Sequence, residues 1–511
     1  MRKLLKFLTG RLFLSLVLIL LQIAVLINIF GFAKNDTLWI QIFSTISIAM
    51  ALFVSMRDHL NPAYKIGWML IFMLLPLYGG LLYIFLGTRK MSPGLKRQLV
   101  AFNDFHDKGM ENVSLSADLP MQALESYDPT LFRQASYITG ISGFPVWSNT
   151  EVEYFADGED WLLDVFKEIK RAKSFIFLEF FIIAEGDVYT ALIKELVAKV
   201  QQGVLVRLLF DDVGSISTIP AYHARHLRSL GLEVVAFNPL RAHINSRLNS
   251  RDHRKVVVID GNIGYTGGIN IADEYANRQI RFGHWKDTGV KLKGDAVWNL
   301  TLTFLQLWTF GSKKPVDFAP FKPTIQYKTD GFVQPFGDNP LDNHNVAENS
   351  YIQIISMAKK YVWITTPYLV LDNEMITVLK IAAQSGVDVR IITPNMPDKW
   401  YVFAVTQDNY YSLMECGVKI YEYIPGFIHA KMCVADDKVA IIGTINMDYR
   451  SFYLHFENAV LFYGSSVVES VSTDIEKILD LSLRVTPELL AARPWYRKPM
   501  GTVLRLAAPL L

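Results

Sequence analysis

His253-Arg-Lys255-Val-Val-Val-Ile-Asp260-Gly-Asn-Ile-Gly-Tyr-Thr-Gly267-Gly268-Ile-Asn270 is the stretch on which the fold turns. Its skeleton is H-x-K-x4-D followed by a Gly-x-x-Asn tail. The same skeleton returns as His429-x-Lys431, Asp436 and Gly443-Thr444-Ile445-Asn446. One His near one Lys is usually an ordinary polar pair. Order, spacing and tail repeated together are not an accident of composition. Val256–Ile259, the turn signal Asp260-Gly261 and the return from Ile263 to Thr266 predict a hairpin. Alternation along a strand puts His253 and Lys255 on one face and Arg254 on the other. The same rule groups His429 with Lys431 and turns Ala430 into the core. The hairpin brings Gly267, Gly268 and Asn270 back beside the His–Lys pair. There glycine permits close backbone approach and an asparagine amide can bind a phosphate oxygen.

The flanking pattern is duplicated as well. Before the first motif, Ser174–Ile183, Gly203–Phe210 and Leu232–Phe237 read as strands, with helices at Asp187–Gln202 and Ala221–Leu230. Before the second, Tyr361–Thr365, Gly386–Ile392 and Gly417–Tyr421 read as strands, with helices at Asn373–Ser385 and Tyr401–Cys416. This alternation predicts an α/β class, two halves of mixed sheet flanked by helices, facing each other across one cleft. The first half carries an extra loop, Asn238–Asp252, with Arg241, His243, Arg247 and Arg251. Two readings of that loop stand side by side, a solvated basic face and a holder of anionic head groups.

The chain has 511 residues, about half of them apolar, and a formal net charge of +2. Near-neutral charge gives no support to nucleic acid as a partner. Cys416 and Cys433 read as packing residues, and no Cys/His cluster has zinc spacing, so neither metal nor cofactor is expected. Residues 1–90 form a hydrophobic N-terminal unit, expected to be helical and membrane-bound. Leu12–Phe30 follows Arg2, Lys3, Lys6 and Arg11 and reads as a retained anchor rather than a cleaved signal. Trp39–Met56 is a second apolar stretch, and Ile66–Leu86 a third, interrupted by Pro76, Gly79 and Gly80. Three crossings would separate Arg89, Lys90, Lys96 and Arg97 from the basic N-terminus, against the positive-inside tendency. Two spans (about 12–30 and 39–56) and a bent 66–86 would keep both clusters, and the catalytic portion, on the cytoplasmic side. The remaining divisions are a linker at 91–125, halves at 126–325 and 326–484, and a tail at 485–511. In that tail Pro494-Trp-Tyr-Arg-Lys498 reads either as an interfacial segment or as a packed helix.

Paired histidines suit a two-step phosphoryl transfer. One imidazole bonds to phosphorus, while the other protonates the leaving alcohol and then deprotonates the incoming one. Lys255, Lys431, Asn270 and Asn446 would offset charge on the nonbridging oxygens. Asp260 and Asp436 complete the catalytic signature, but at strand ends their expected work is architectural.

With these residues the chain resembles the phospholipase D superfamily. Several elements are similar to those of bacterial cardiolipin synthases: Asn61–Trp68 leading into Pro76/Gly79-Gly80, Trp285-Lys286-Asp287, and Asp448-x-Arg450-Ser451-Phe452 with Phe456-Glu457. The resemblance implies that Asp287 orients His429 and Glu457 orients His253. It also implies transfer of a phosphatidyl group from one phosphatidylglycerol to another in a bilayer, giving cardiolipin and glycerol; a membrane-bound phospholipase D hydrolase is the alternative. The tail departs from the superfamily's G-S-x-N form. Gly268 would offer a phosphate oxygen only its backbone N–H, and Thr444 its hydroxyl.

Overall fold

The computed structural model describes residues 37–57, 61–75, 79–80, 82–83, 108–110, 114–239, 250–342 and 344–506. The expected span Leu12–Phe30, the basic residues flanking it, the cluster Arg89–Arg97, and Arg241, His243 and Arg247 lie outside them.

In the first half the strands are β1 (Thr150–Phe155), β2 (Phe175–Phe180), β3 (Leu205–Asp211), β4 (Glu233–Phe237), β5 (Val256–Ile259), β6 (Ile263–Gly267), β7 (His284–Lys286) and β8 (Gly289–Gly294). All but β7 join one mixed sheet in the order β1-β8-β6-β5-β2-β3-β4. The second half supplies β9 (Phe332–Asp338), β10 (Tyr361–Thr365), β11 (Leu369–Val370), β12 (Asp388–Pro394), β13 (Lys419–Tyr423), β14 (Gly426–Ile428), β15 (Met432–Ala435), β16 (Val439–Gly443), β17 (Met447–Asp448), β18 (Glu457–Tyr463) and β19 (Ser482–Arg484). Eight of these form the order β19-β13-β12-β10-β15-β16-β18-β9. In each half a motif hairpin (β5–β6 or β15–β16) lies antiparallel to a strand that continues a parallel run, β2-β3-β4 or β10-β12-β13.

Each hairpin turns through two residues of positive φ, as a type I′ turn requires: Asp260 (51°) and Gly261 (69°), then Asp436 (54°) and Asp437 (56°). Aspartate tolerates this conformation better than most residues. Its carboxylate then caps the neighbouring strand. Asp260 accepts from the N–H groups of Lys173, Ser174 and Phe175 (2.8, 2.7 and 2.9 Å). Asp436 accepts from Lys359, Lys360 and Tyr361 (2.6, 2.8 and 2.9 Å).

One hydrophobic core spans both halves. Phe177, Val256 and Val258 of the first sheet share it with Val362, Ile391 and Ile441 of the second. Helix Val297–Ser312, which the repeat does not announce, is apolar nearly all round and runs through this core, as the sequence of a fully buried helix should. Its Asn299 donates to the carbonyls of Pro145 and Pro335 (2.9 and 2.8 Å) and accepts from Trp147 Nε1 (2.9 Å). Helix Pro129–Ser142, expected to belong to the first half, packs on the second: its Gln134 donates to the Ser350 carbonyl (3.1 Å).

At the N-terminus, helix Thr37–Ser55 packs on helix Pro62–Leu74, and Ser47 Oγ donates to the Phe72 carbonyl (2.6 Å). The second helix ends before Pro76, whose ring cannot continue a helical ladder. Beyond it Tyr83 packs against Trp68 and Phe72 (centroids 5.1 and 5.5 Å). A Cβ on Gly79 would lie 2.9 Å from the Ile71 carbonyl oxygen, which is why a glycine stands there. No helix among the described residues is long and apolar enough to cross a membrane. In the tail, helix Arg497–Leu506 packs along helix Trp400–Met414, with Gly501 against Ala404 and Arg505 paired to Asp408 (3.1 Å), while Trp495 stays exposed.

A buried ion pair ties the halves together. Lys286 Nζ contacts both carboxylate oxygens of Asp474 (2.9 and 3.1 Å), and Tyr154 donates to the same carboxylate (2.6 Å). Asp474→Ala strands a buried ammonium, so it should cost about 3–5 kcal/mol. A lowered midpoint of thermal unfolding, partly recovered by adding Lys286→Met, is the expected result.

Candidate active site

Parallel strands β2, β10 and β12 end where the two motifs begin, the carboxyl-end position at which open α/β sheets place their ligands. His253 and His429 precede β5 and β15 rather than lying within them. Their extended backbones are held by the opposite half. His253 N–H donates to the Phe456 carbonyl (2.9 Å), and His429 N–H to that of Lys286 (2.7 Å). Strand β14 pairs with β7, and Asp252 bridges to Phe456. Each histidine is thus presented by chain from both halves, with the other half's acidic residue immediately downstream.

The side chains follow the backbone exchange. Glu457 accepts from His253 Nδ1 at 3.0 Å, and Asp287 accepts from His429 Nδ1 at 2.6 Å. Both carboxylates are fully buried. Burial alone would raise them, but His429 and Lys431 at Asp287, and His253 and His455 at Glu457, hold both below the usual carboxylate range. Burial lowers the histidines, to about 3 for His253 and about 4 for His429, so both imidazoles rest neutral. A neutral ring that donates through Nδ1 leaves the lone pair of Nε2 for the substrate.

Lys255 Nζ donates to the His253 carbonyl (2.6 Å), and Lys431 Nζ to the His429 carbonyl. Burial pulls both ammonium groups down, Lys255 to about 8 and Lys431 to about 7. Lys255 also lowers Lys431 and His429 across the halves, and Lys431 feels Glu457. The two motifs therefore share one electrostatic site.

Around His429 stand Tyr275, Trp285 and Phe427, with centroids 5.4, 5.3 and 5.9 Å away. Around His253 stand Phe181 (5.0 Å) and His455 (5.6 Å). Trp285 and His455 occupy equivalent places, two residues before the orienting acid. His455 was missed in the sequence, although that offset marks it. It is buried, its Nδ1 lies 3.7 Å from Glu457, and neither ring nitrogen has a hydrogen-bond partner. His253, His455 and Glu457 place one ligand atom each within 4.8 Å of one another, the one such metal-capable group among the described residues.

Asp260 and Asp436, read as architectural, cap the neighbouring strands, and seven residues of extended chain put each roughly 23 Å from its histidine. Other expectations need correction. Gly268 does not offer its N–H to a phosphate, because that group donates to the Thr288 carbonyl (3.0 Å). Its missing side chain makes room instead: a Cβ there would lie 2.0 Å from Asp287 Oδ1. Thr444 does not offer its hydroxyl either, since it donates to Glu457 and accepts from Asn458 N–H (3.0 Å). Each tail position is shaped by the acid it faces. Arg251 is buried against Asp211 (3.5 Å) and the Asn238 carbonyl (3.0 Å), so it is no head-group ligand. Asn270 accepts from Ile182 N–H (3.0 Å) and donates to the Tyr275 hydroxyl (2.7 Å), which braces the ring against His429. Asn446 differs: its Oδ1 is buried and has no hydrogen-bond partner. Arg254, on the face away from the cleft, donates to the carbonyls of Glu457, Thr303 and Asp338 (3.2, 3.0 and 3.2 Å).

Two mixed-sheet halves, each lending an acid to the other's histidine in a shared His–Lys cleft, define an enzyme of the phospholipase D type. In fold the chain is similar to phosphatidylserine synthase of Haemophilus influenzae, at a TM-score of 0.59 and 14% identity over 74% of this chain and 97% of that one. The family model described as "Cardiolipin synthase, PLD-like domain" matches residues 165–280 and 351–479, and the phospholipase D-nuclease N-terminal model matches 40–87. Cardiolipin synthase of Geobacillus kaustophilus is 34% identical over 97% of this chain and 98% of its own length. Cardiolipin synthase 1 of Staphylococcus aureus is 34% identical over 89% and 93%. An uncharacterized protein of Streptococcus mutans is 40% identical over 89% and 98%. The chain belongs to the cardiolipin synthase family.

Two predictions follow from the geometry. Gly268→Ser should push the Asp287 carboxylate off His429 and lower kcat by about 10²-fold, the scale of an ångström misplacement. Thr444→Val, which keeps the volume and removes one hydrogen bond to a buried carboxylate, should cost about 1.5–3 kcal/mol of transition-state stabilisation. Steady-state kinetics on both variants checks the pair. The lysines set a pH limb: an ammonium is charged only below its pKa, so kcat/KM should fall as pH rises through about 7 to 8. A profile flat to pH 9, as ordinary lysines would give, contradicts this assignment.

Proposed function

We infer that this phosphatidyltransferase of the cardiolipin synthase family condenses two phosphatidylglycerol molecules into cardiolipin and glycerol. The reading is carried by one observation: two neutral imidazoles, each gripped through Nδ1 by an acid of the opposite half, with two buried lysines electrostatically coupled to each other. One Nε2 attacks phosphorus and forms a phosphatidyl-histidine. The phosphate's negative charge favours the imidazolium form of the second histidine, whose proton passes to the departing glycerol oxygen. That ring then takes the proton of the incoming head-group hydroxyl, whose oxygen displaces the first histidine. Lys255, Lys431 and the amide of Asn446 offset charge on the nonbridging oxygens, and Asn270 supports the wall through Tyr275. Asp287 and Glu457 hold the tautomers and stabilise the transient imidazolium.

The same reading places the enzyme in a cell membrane with its catalytic halves on the cytoplasmic side. Residues 12–30 and 39–56 act as crossings and 66–86 as a bent, re-entrant hairpin. In support, Ile48, Leu52, Phe53, Met56, Met73 and Leu74 expose apolar side chains on the two N-terminal helices. Such surface has no stable place in water.

The test supplies phosphatidylglycerol vesicles to the purified protein and follows lipid product and free glycerol. Cardiolipin with equimolar glycerol is expected; phosphatidic acid as the main product would make it a hydrolase. His253→Ala and His429→Ala should each lower turnover by at least about 10³-fold, as loss of one member of a two-residue catalytic unit does. Substantial activity in either variant contradicts a shared site.

A further inference from the structure

Phe427 packs on His429 and is itself walled by Phe282 (6.1 Å) and Tyr368 (6.5 Å). The loops that carry this wall present apolar side chains outward. Ile280, beside Phe282, is 84% exposed, and Trp400, which follows the loop after β12, is 64% exposed. Met396 of that loop and Ile424 of the turn between β13 and β14 are also exposed. Cations stand among them: Arg281 beside Ile280, half-exposed while paired to Glu274 (3.1 Å), and Lys399 beside Trp400, 3.5 Å from Asp398 with its ammonium 4.7 Å over the Tyr368 ring. Large aliphatic and indole side chains, exposed and interleaved with Arg and Lys, are the composition of a protein edge that enters the head-group layer.

The same wall is continuous with the N-terminal helices. Asn61, at the start of helix Pro62–Leu74, donates to Asp372 (3.1 Å) and to the Tyr453 hydroxyl (3.0 Å). Tyr453, Tyr401, Tyr368 and Leu504 pack with Val370, Val402, Val405 and Tyr449, and Trp400 meets Tyr401 edge-on (centroids 5.8 Å). Helix Pro62–Leu74 therefore joins the catalytic body through Tyr453, whose apolar cluster also holds Tyr368 of the wall.

We propose that the rim formed by Ile280, Met396, Trp400 and Ile424, on the His429 side of the cleft, is seated in the surface of a bilayer containing anionic phospholipid. The seat rests on the phospholipid reading above and deepens it. A substrate whose acyl chains stay in the bilayer brings its phosphate to His429 only if the wall beside that histidine lies at head-group depth. Arg281 and Lys399 meet the anionic head groups, and the four apolar side chains enter the acyl boundary.

The experiment uses the full chain in vesicles of phosphatidylglycerol and phosphatidylcholine. Ile280→Ser/Trp400→Ser should lower turnover of long-chain phosphatidylglycerol by about tenfold, given the apolar area withdrawn from lipid. Turnover of dihexanoyl-phosphatidylglycerol supplied as monomers should stay within about twofold, because it needs no seat. Equal losses on both donors, or no loss on either, overturn the proposal. In a Cys416→Ser background, where Cys433 is buried, a bimane on Ile280→Cys or Trp400→Cys should be quenched by doxyl-labelled lipid. The same label on Ile381→Cys, exposed on helix Asn373–Gln384, should not be. Cardiolipin synthesis with unquenched rim labels removes the seat and leaves the reaction standing. Quenched rim labels with no cardiolipin from either donor remove the reaction and leave the seat.

Discussion

A carboxylate from one half holding the imidazole of the other is the interaction on which the rest of this structure depends. Neither acid is useful alone: buried without its histidine, each would bear a desolvation cost large enough to be protonated. Neither histidine is useful alone, since an unheld ring samples both tautomers. The exchange forces the halves to meet at one register, set by the pairing of β14 with β7 and the bridge between Asp252 and Phe456. Arg254 and the Lys286–Asp474 pair close the seam behind it.

The duplication is exact in backbone logic and unequal in side chains. Asp287 is short and sits where a Cβ at residue 268 would be, so that position is glycine. Glu457 is longer and leaves room for a hydroxyl, so its counterpart is Thr444, which grips it. Trp285 and His455 then give the two rings different neighbours: His429 stands in an aromatic box, and His253 beside a second imidazole. Two chemically identical nucleophile candidates thereby acquire different surroundings within one cleft.

Position relative to lipid follows from the same architecture. Loops at the carboxyl ends of the strands build both the cleft and its rim. Helix Pro62–Leu74 joins the body at Asp372 and Tyr453, two residues before His455 on the chain that leads to Glu457. The attachment point of the N-terminal unit and the orienting acid thus lie on one short segment.

The paired H-x-K-x4-D motifs, the alternation of strand and helix and the turn chemistry at Asp260-Gly261 were legible in the sequence because they are local. Period, spacing and allowed φ are properties of neighbouring residues. The fully buried helix Val297–Ser312 and the docking of helix Pro129–Ser142 on the far half were not, since apolar runs do not say what covers them. The tail residues show the same divide. Glycine and threonine at 268 and 444 read as departures from a phosphate-binding pattern, yet only the tertiary structure sets them against Asp287 and Glu457. His455 was overlooked, and Arg251, open between a solvated face and a head-group holder, is buried against Asp211 and is neither. Which polar group faces a substrate and which is spent on a buried partner is decided by tertiary packing, whether the partner lies 13 positions away, as Glu457 does from Thr444, or 204, as it does from His253.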